Sequence, residues 1–134
     1  MAADRREVEG ILSGEAYALM REDPAYRSEL SRGWLVREPQ PGALHGEATG
    51  RIYERLRTFV QARGLGRVTN QTGFELRPIP RTVRGPDVAF VRSERVPAEA
   101  PTLFWPFTPD LAVEVAIHRV GGPSVRRVAG SPAE

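Results

Sequence analysis

Pro86-Asp87-Val88-Ala89-Phe90-Val91 and Pro109-Asp110-Leu111-Ala112-Val113-Glu114-Val115 decide how this chain folds. Each is a short apolar run opened by proline, the pattern of a buried strand, and each carries an acid. In the second run a period of two sets Leu111, Val113 and Val115 on one face, with Asp110, Ala112, Glu114 and Ala116 on the other. A glutamate in mid-strand among alanines is unusual, because acids are poor strand formers and a buried carboxylate needs a partner or a cation. In the first run Val88 and Phe90 share a face, and Asp87 falls on the other with Ala89. Neighbouring strands stand about 4.7–4.9 Å apart, so if these two pair, Asp87 and Glu114 can share one hard cation. Oxygen donors at that spacing suit magnesium or manganese, and a cation so held is a common means of hydrolysing a phosphodiester. Taken singly, each acid has a plainer reading: Asp87 as a turn former after proline, Glu114 as the partner of an arginine.

Working outward, 134 residues are enough for one compact domain with a single core. The 19 basic side chains are all arginine, set against 17 acids, and the chain has no lysine. A coding bias explains that replacement more simply than function does, since the preference of arginine for phosphate would account only for a local cluster. With no cysteine there is no disulfide framework and no thiolate zinc site. Met1 to Gly14 carries acids and no long apolar run, unlike a leader peptide or membrane span. A soluble, cytoplasmic protein without a membrane partner is expected.

Residues Ser13 to Met20 read as a short helix, with Ser13 as N-cap, and Pro24 limits it. A polar connection follows, then a strand at Gly33–Arg37, interrupted by Pro39 and Pro41. The strongest helix pattern has Leu44, Ala48, Ile52, Leu56, Phe59 and Val60 recurring at three- and four-residue spacing, with Gly64 ending it. On its other face Arg51 and Arg55 form a one-turn ladder that could meet nucleic-acid phosphate, or could be an ordinary solvated face. From Arg67 to Leu76 the side chains alternate as in one half-buried strand, and Pro78 to Gly85 reads as a turn. Leu103, Phe104, Trp105 and Phe107 lie in a proline-rich loop, as a core plug or a shield over a site.

This order of motifs, from Tyr26–Gly33 through His45-Gly46, the helix ending Ala62-Arg63-Gly64, Thr72-Gly73-Phe74-Glu75-Leu76 and the two acid-bearing strands, resembles the Uma-two family of bacterial endonucleases. The likeness runs from about Gly14 to Ala116. It implies a restriction-endonuclease-like core of the PD-(D/E)xK kind, an α/β (α+β) fold with a mixed central sheet flanked by helices. By that likeness Asp87 is the metal-binding aspartate and Glu114 the second acid, with Glu29 a weaker further metal candidate and His45 a structural loop residue. The resemblance implies Mg2+ or Mn2+ as cofactor, DNA as partner and hydrolysis of DNA phosphodiester bonds.

Beyond Ala116 the likeness stops. Where the family continues with a turn, a lysine-bearing helix and a closing strand, this chain reads Ile117-His118-Arg119-Val120-Gly121-Gly122-Pro123. The expectation is therefore a domain over residues 1–116 lacking its last helix and strand, and a divergent, disordered tail over 117–134, as a truncated or frame-shifted coding sequence would leave. An exposed sheet edge would follow, which a second copy of the chain could cover. Arg119, Arg126 or Arg127 could supply charge in place of lysine, but arginine stays protonated and cannot act as a base. Three functions follow from these features: a metal-dependent endonuclease, an inactive relative that at most binds nucleic acid, and a protein-interaction domain whose acids are ion-paired.

Overall fold

The computed structural model describes residues 7–11, 26–78, 81–118 and 122–129. Among these the architecture is α+β, with two antiparallel sheets and one α-helix, consistent with a restriction-endonuclease-like fold. The expected single mixed sheet is replaced by two sheets, because the chain changes sheet where its side-chain alternation does not change. The two sheets belong to two compact units, built from segments 1–40, 73–85 and 103–107, and from 41–72, 86–102 and 108–134. The expected helix at Ser13–Met20 lies outside the described residues.

The first unit holds β1 (Glu7–Ile11), β2 (Tyr26–Ser31), β3 (Trp34–Pro39), β5 (Phe74–Pro78) and β6 (Arg81–Arg84), in the order β1-β3-β2-β6-β5. The polar connection before Gly33 proves to contain β2, which pairs with β3 from Tyr26↔Pro39 to Ser31↔Trp34. Arg32 and Gly33, both at positive φ, make the two-residue turn whose twist matches antiparallel strands. The stretch read as a turn after Pro78 contains β6, paired with β5 from Phe74↔Arg84 to Pro78↔Arg81. Pro78 hides this hairpin by standing at its end, where a missing N–H costs little, while Thr82 and Val83 are buried. Trp105 acts as packing material: its N–H bonds the Gly73 carbonyl, its carbonyl accepts from Glu75 N–H, and its ring stacks on Phe74 at 6.2 Å.

The second unit holds α1 (Ala43–Ala62), β4 (Gly66–Asn70), β7 (Val88–Arg92), β8 (Leu111–His118) and β9 (Gly122–Ala129), the strands in the order β4-β7-β8-β9. Thr49 and Val60 are buried on α1, and Ala48, Ile52 and Leu56 half-buried, so the middle of the expected apolar stripe is covered, whereas Leu44 at its start is 48% exposed. Phe59 departs from that stripe: it is 49% exposed, with the Arg63 guanidinium 3.8 Å from its ring centre. The helix closes when Leu65 N–H bonds the Val60 carbonyl and Gly64 N–H the Gln61 carbonyl, with Gly64 at φ 60°. This C-terminal motif needs a left-handed residue after the cap, which glycine adopts without strain.

The strand expected over Arg67–Leu76 is thus two. β4 stops at Asn70, Gln71 turns at φ 48°, and β5 belongs to the other unit. At the far end, β9 occupies residues expected to form an irregular tail. It pairs with β8 along its whole length, from Leu111↔Ala129 to His118↔Gly122. The expected open edge of β8 is therefore covered by the chain's own next strand. Backbone pairing needs no apolar alternation, which is why a run opening on Gly122-Pro123 and holding two adjacent arginines does not read as a strand. No helix among the described residues is long and apolar enough to cross a membrane.

Candidate functional site

β7 and β8 are neighbours, paired Val88↔Val113, Ala89↔Ala112 and Phe90↔Leu111. The pairing ends at Val88↔Val113, one residue short of Asp87 on one strand and of Glu114 on the other. Asp87 itself lies just before β7, and the residue is 1% exposed. Its carboxylate does not simply project from a sheet face beside Ala89, as strand alternation predicts. Instead Oδ2 accepts the Val115 N–H at 2.8 Å and lies 3.1 Å from His45 Nε2. Pro86, with its fixed φ and no N–H, leads the chain into this buried corner, and the Asp87 carbonyl accepts from Gln71 N–H at 3.2 Å. Glu114 is half-buried in β8, its backbone opposite Arg126 of β9.

His45 belongs to the first turn of α1 rather than to a loop. Its ring is 11% exposed, and Nδ1 lies 3.5 Å from Oγ1 of Thr49, one turn further along. The signal available in the sequence was a polar pair, His45 and Thr49, at four-residue spacing on the otherwise apolar side of the helix. Its partner Asp87 stands 42 residues away, beyond the reach of any local pattern.

Asp110, the first acid of the second motif, is used for fastening. It accepts Arg92 N–H at 2.9 Å and pairs with the Arg95 guanidinium at 3.0 Å, while its own N–H bonds the Phe90 carbonyl. It thereby ties the start of β8 to the end of β7 and the 3-10 turn Ser93–Arg95 that follows.

Glu29 belongs to the first unit, on β2, whereas Asp87 and Glu114 belong to the second. Its carboxylate accepts from Arg84 and from Gly85 N–H, both at 3.3 Å, and Arg84 also reaches Ser31. Burial raises the Glu29 pKa above its ordinary 4.5, outweighing the opposing Arg84 charge and the Gly85 hydrogen bond. The folded state therefore holds the Glu29 proton more tightly than the unfolded chain does. The stabilisation associated with the neutral acid is complete below pH 4.5 and is lost as pH rises through the folded pKa. Glu29→Gln, which keeps the shape without the charge, is expected to match or exceed the native midpoint in urea at pH 7, with no advantage left at pH 4. A variant clearly weaker than native at pH 7 would mean that the Arg84 pair outweighs burial.

Arg51 and Arg55 are exposed on α1, as their spacing predicts. Arg55, Phe59 and Arg63 line a shallow open depression with Glu54, Thr58 and Ala62.

Among the described residues, no three His, Cys, Asp or Glu side chains are grouped to hold a metal ion. The donor chemistry of Asp87 and Glu114 fits a hard cation that keeps most of its water, as magnesium does when bound by one or two carboxylates. It does not form a closed cage of protein ligands.

Comparison with curated proteins gave no significant match. A family model, Uma2, described as "Putative restriction endonuclease", matches residues 15–119.

Proposed function

This chain belongs to the Uma2 family, and from that premise we propose that it is a metal-dependent endonuclease domain that hydrolyses DNA phosphodiester bonds. Asp87 and Glu114 would hold Mg2+ or Mn2+, which when bound supplies charge stabilisation and a more acidic water. The observation that supports this reading is the β7–β8 pairing, whose last pair, Val88↔Val113, adjoins a buried aspartate and a mid-strand glutamate. The protein's own part is to fix these carboxylates and to meet the DNA backbone with guanidinium groups. Arg51 and Arg55, exposed one turn apart on α1, are candidates for that contact. Arginine gives charge and direction to a phosphate but takes no proton from water, so in this lysine-free chain that proton goes to another acceptor, a carboxylate, a histidine or solvent.

The test is cleavage of supercoiled plasmid in Mg2+, in Mn2+ and with a chelator, by the native chain and by Glu114→Gln. Several kcal/mol of charge stabilisation depend on the cation, so the variant is expected to lose about 100-fold or more in rate. Equal rates for the two proteins, or cleavage that survives chelation, would remove Glu114 and the cation from the proposal.

A second reading, a non-catalytic nucleic-acid-binding or protein-interaction domain, draws support from the two protein donors already on Asp87 Oδ2. It predicts no cleavage in either metal. If DNA binding then weakened in Arg51→Ala and Arg55→Ala, the nucleic-acid form of this reading would stand.

A further inference from the structure

We propose that His45 is the positioning residue of this site, holding the Asp87 carboxylate in the orientation a cation requires; the inference rests on the cation reading above. A carboxylate only accepts hydrogen bonds. With His45 Nε2 at 3.1 Å from Asp87 Oδ2, the proton of the imidazole belongs on Nε2. In the neutral ring Nδ1 is then left with its lone pair, which can accept from the Thr49 hydroxyl 3.5 Å away. The result is one directional chain: Thr49 O–H to His45 Nδ1, then His45 Nε2–H to Asp87 Oδ2.

Val115 N–H meets the same oxygen from β8 at 2.8 Å. Two donors from two elements, the first turn of α1 and the middle of β8, therefore converge on Oδ2. A carboxylate so held cannot rotate about χ2 without breaking both bonds. The arrangement also excludes the simpler role for the histidine. Nε2 is turned to the carboxylate and Nδ1 to a hydroxyl, so the ring offers no lone pair to a cation. It acts on the metal through Asp87. Partners that hydrogen-bond a ligating group typically change metal affinity or activity by about 10- to 100-fold when removed.

The test measures Mn2+ binding to the full chain, from the free-ion electron-spin signal, alongside the metal-free melting temperature. His45→Ala is expected to weaken Mn2+ binding by about 10- to 100-fold. His45→Gln, whose amide N–H still reaches a carboxylate, is expected to recover most of that loss, and Thr49→Val to weaken binding by a smaller factor. A His45→Ala protein that melts like native and binds Mn2+ like native would overturn the proposal. Should His45→Ala fail to fold, His45→Gln and Thr49→Val decide it: both binding as native supports Gln rescue but overturns the Thr49 link, while a glutamine variant without binding overturns positioning by hydrogen bond. The chain has two histidines, so in His118→Gln the nitrogen NMR spectrum reports His45 alone. The Nε2–H tautomer is expected, and the Nδ1–H tautomer would overturn the clamp without touching the cation reading. If the native chain binds no Mn2+ at millimolar concentration while showing the Nε2–H form, the cation reading fails and positioning fails with it.

Discussion

Asp87→Asn is expected to lose metal-dependent cleavage of DNA while still folding, and Asp87→Ala to lose both cleavage and much of its stability. The two outcomes separate because this side chain does two things. As an acceptor it satisfies the Val115 N–H and the His45 ring, in a position 1% exposed. Alanine leaves both donors buried without their acceptor, at about 1–3 kcal/mol each, and adds a cavity. A loss of roughly 10–15 °C in melting temperature follows for a chain of this size. Asparagine retains one oxygen to accept from Val115 and nearly the same volume, so its melting temperature should lie between those of alanine and native. It carries no charge, however, and a neutral amide is a poor ligand for a hard cation. Cleavage at the metal-free background is the expected result for asparagine. Native-rate cleavage by that variant would show that Asp87 is a structural acceptor alone.

Gly66→Ala is expected to be strongly destabilising. A Cβ at this position would lie 2.0 Å from the Val91 carbonyl oxygen, 2.8 Å from Arg92 Cα and 2.9 Å from Ser93 N. All three are backbone atoms, so no side-chain rotation relieves the clash, and the glycine sits at φ 154°, where L-residues are strained. Relief requires β4 to move off β7 where Gly66 faces Arg92. The expected cost is about 3–5 kcal/mol, a large part of the roughly 5–15 kcal/mol that holds a typical domain folded. Gly50→Ala is the control. Nothing lies within 4 Å of its added methyl, and in the middle of α1 it is expected to stabilise by about 1 kcal/mol. Urea midpoints of the two variants should therefore move in opposite directions. A Gly66→Ala midpoint near native would contradict the close approach of β4 and β7.

What could be read from the residues was whatever depends on local period. The long apolar pattern of α1 and the two proline-bounded runs that became the paired strands β7 and β8 were visible. β2, β6 and β9 were not: each pairs with a neighbour in sequence, but its side chains carry no simple apolar alternation and backbone pairing leaves no residue pattern of its own. The division at Gln71 was hidden for a related reason: period two continues through the turn, so β4 and β5 read as a single strand. In the site, the acids announced themselves by being out of place among apolar residues. His45 did not, since its meaning comes from a hydrogen bond across 42 positions, and the fastening role of Asp110 likewise depends on Arg92 and Arg95 being brought alongside.

The segments of the two units alternate along the gene, 1–40, 41–72, 73–85, 86–102, 103–107 and 108–134. No single cut therefore releases either unit as an uninterrupted polypeptide. Emerging from a ribosome, the first unit waits for residues 103–107 to supply Trp105, and the second for β8 and β9, so neither can be finished early. Quality control meets an unfinished second unit until β9 has emerged, and stop mutations before β9 are expected to yield degraded protein rather than a working fragment. Isolating either unit would call for a permuted or rejoined gene.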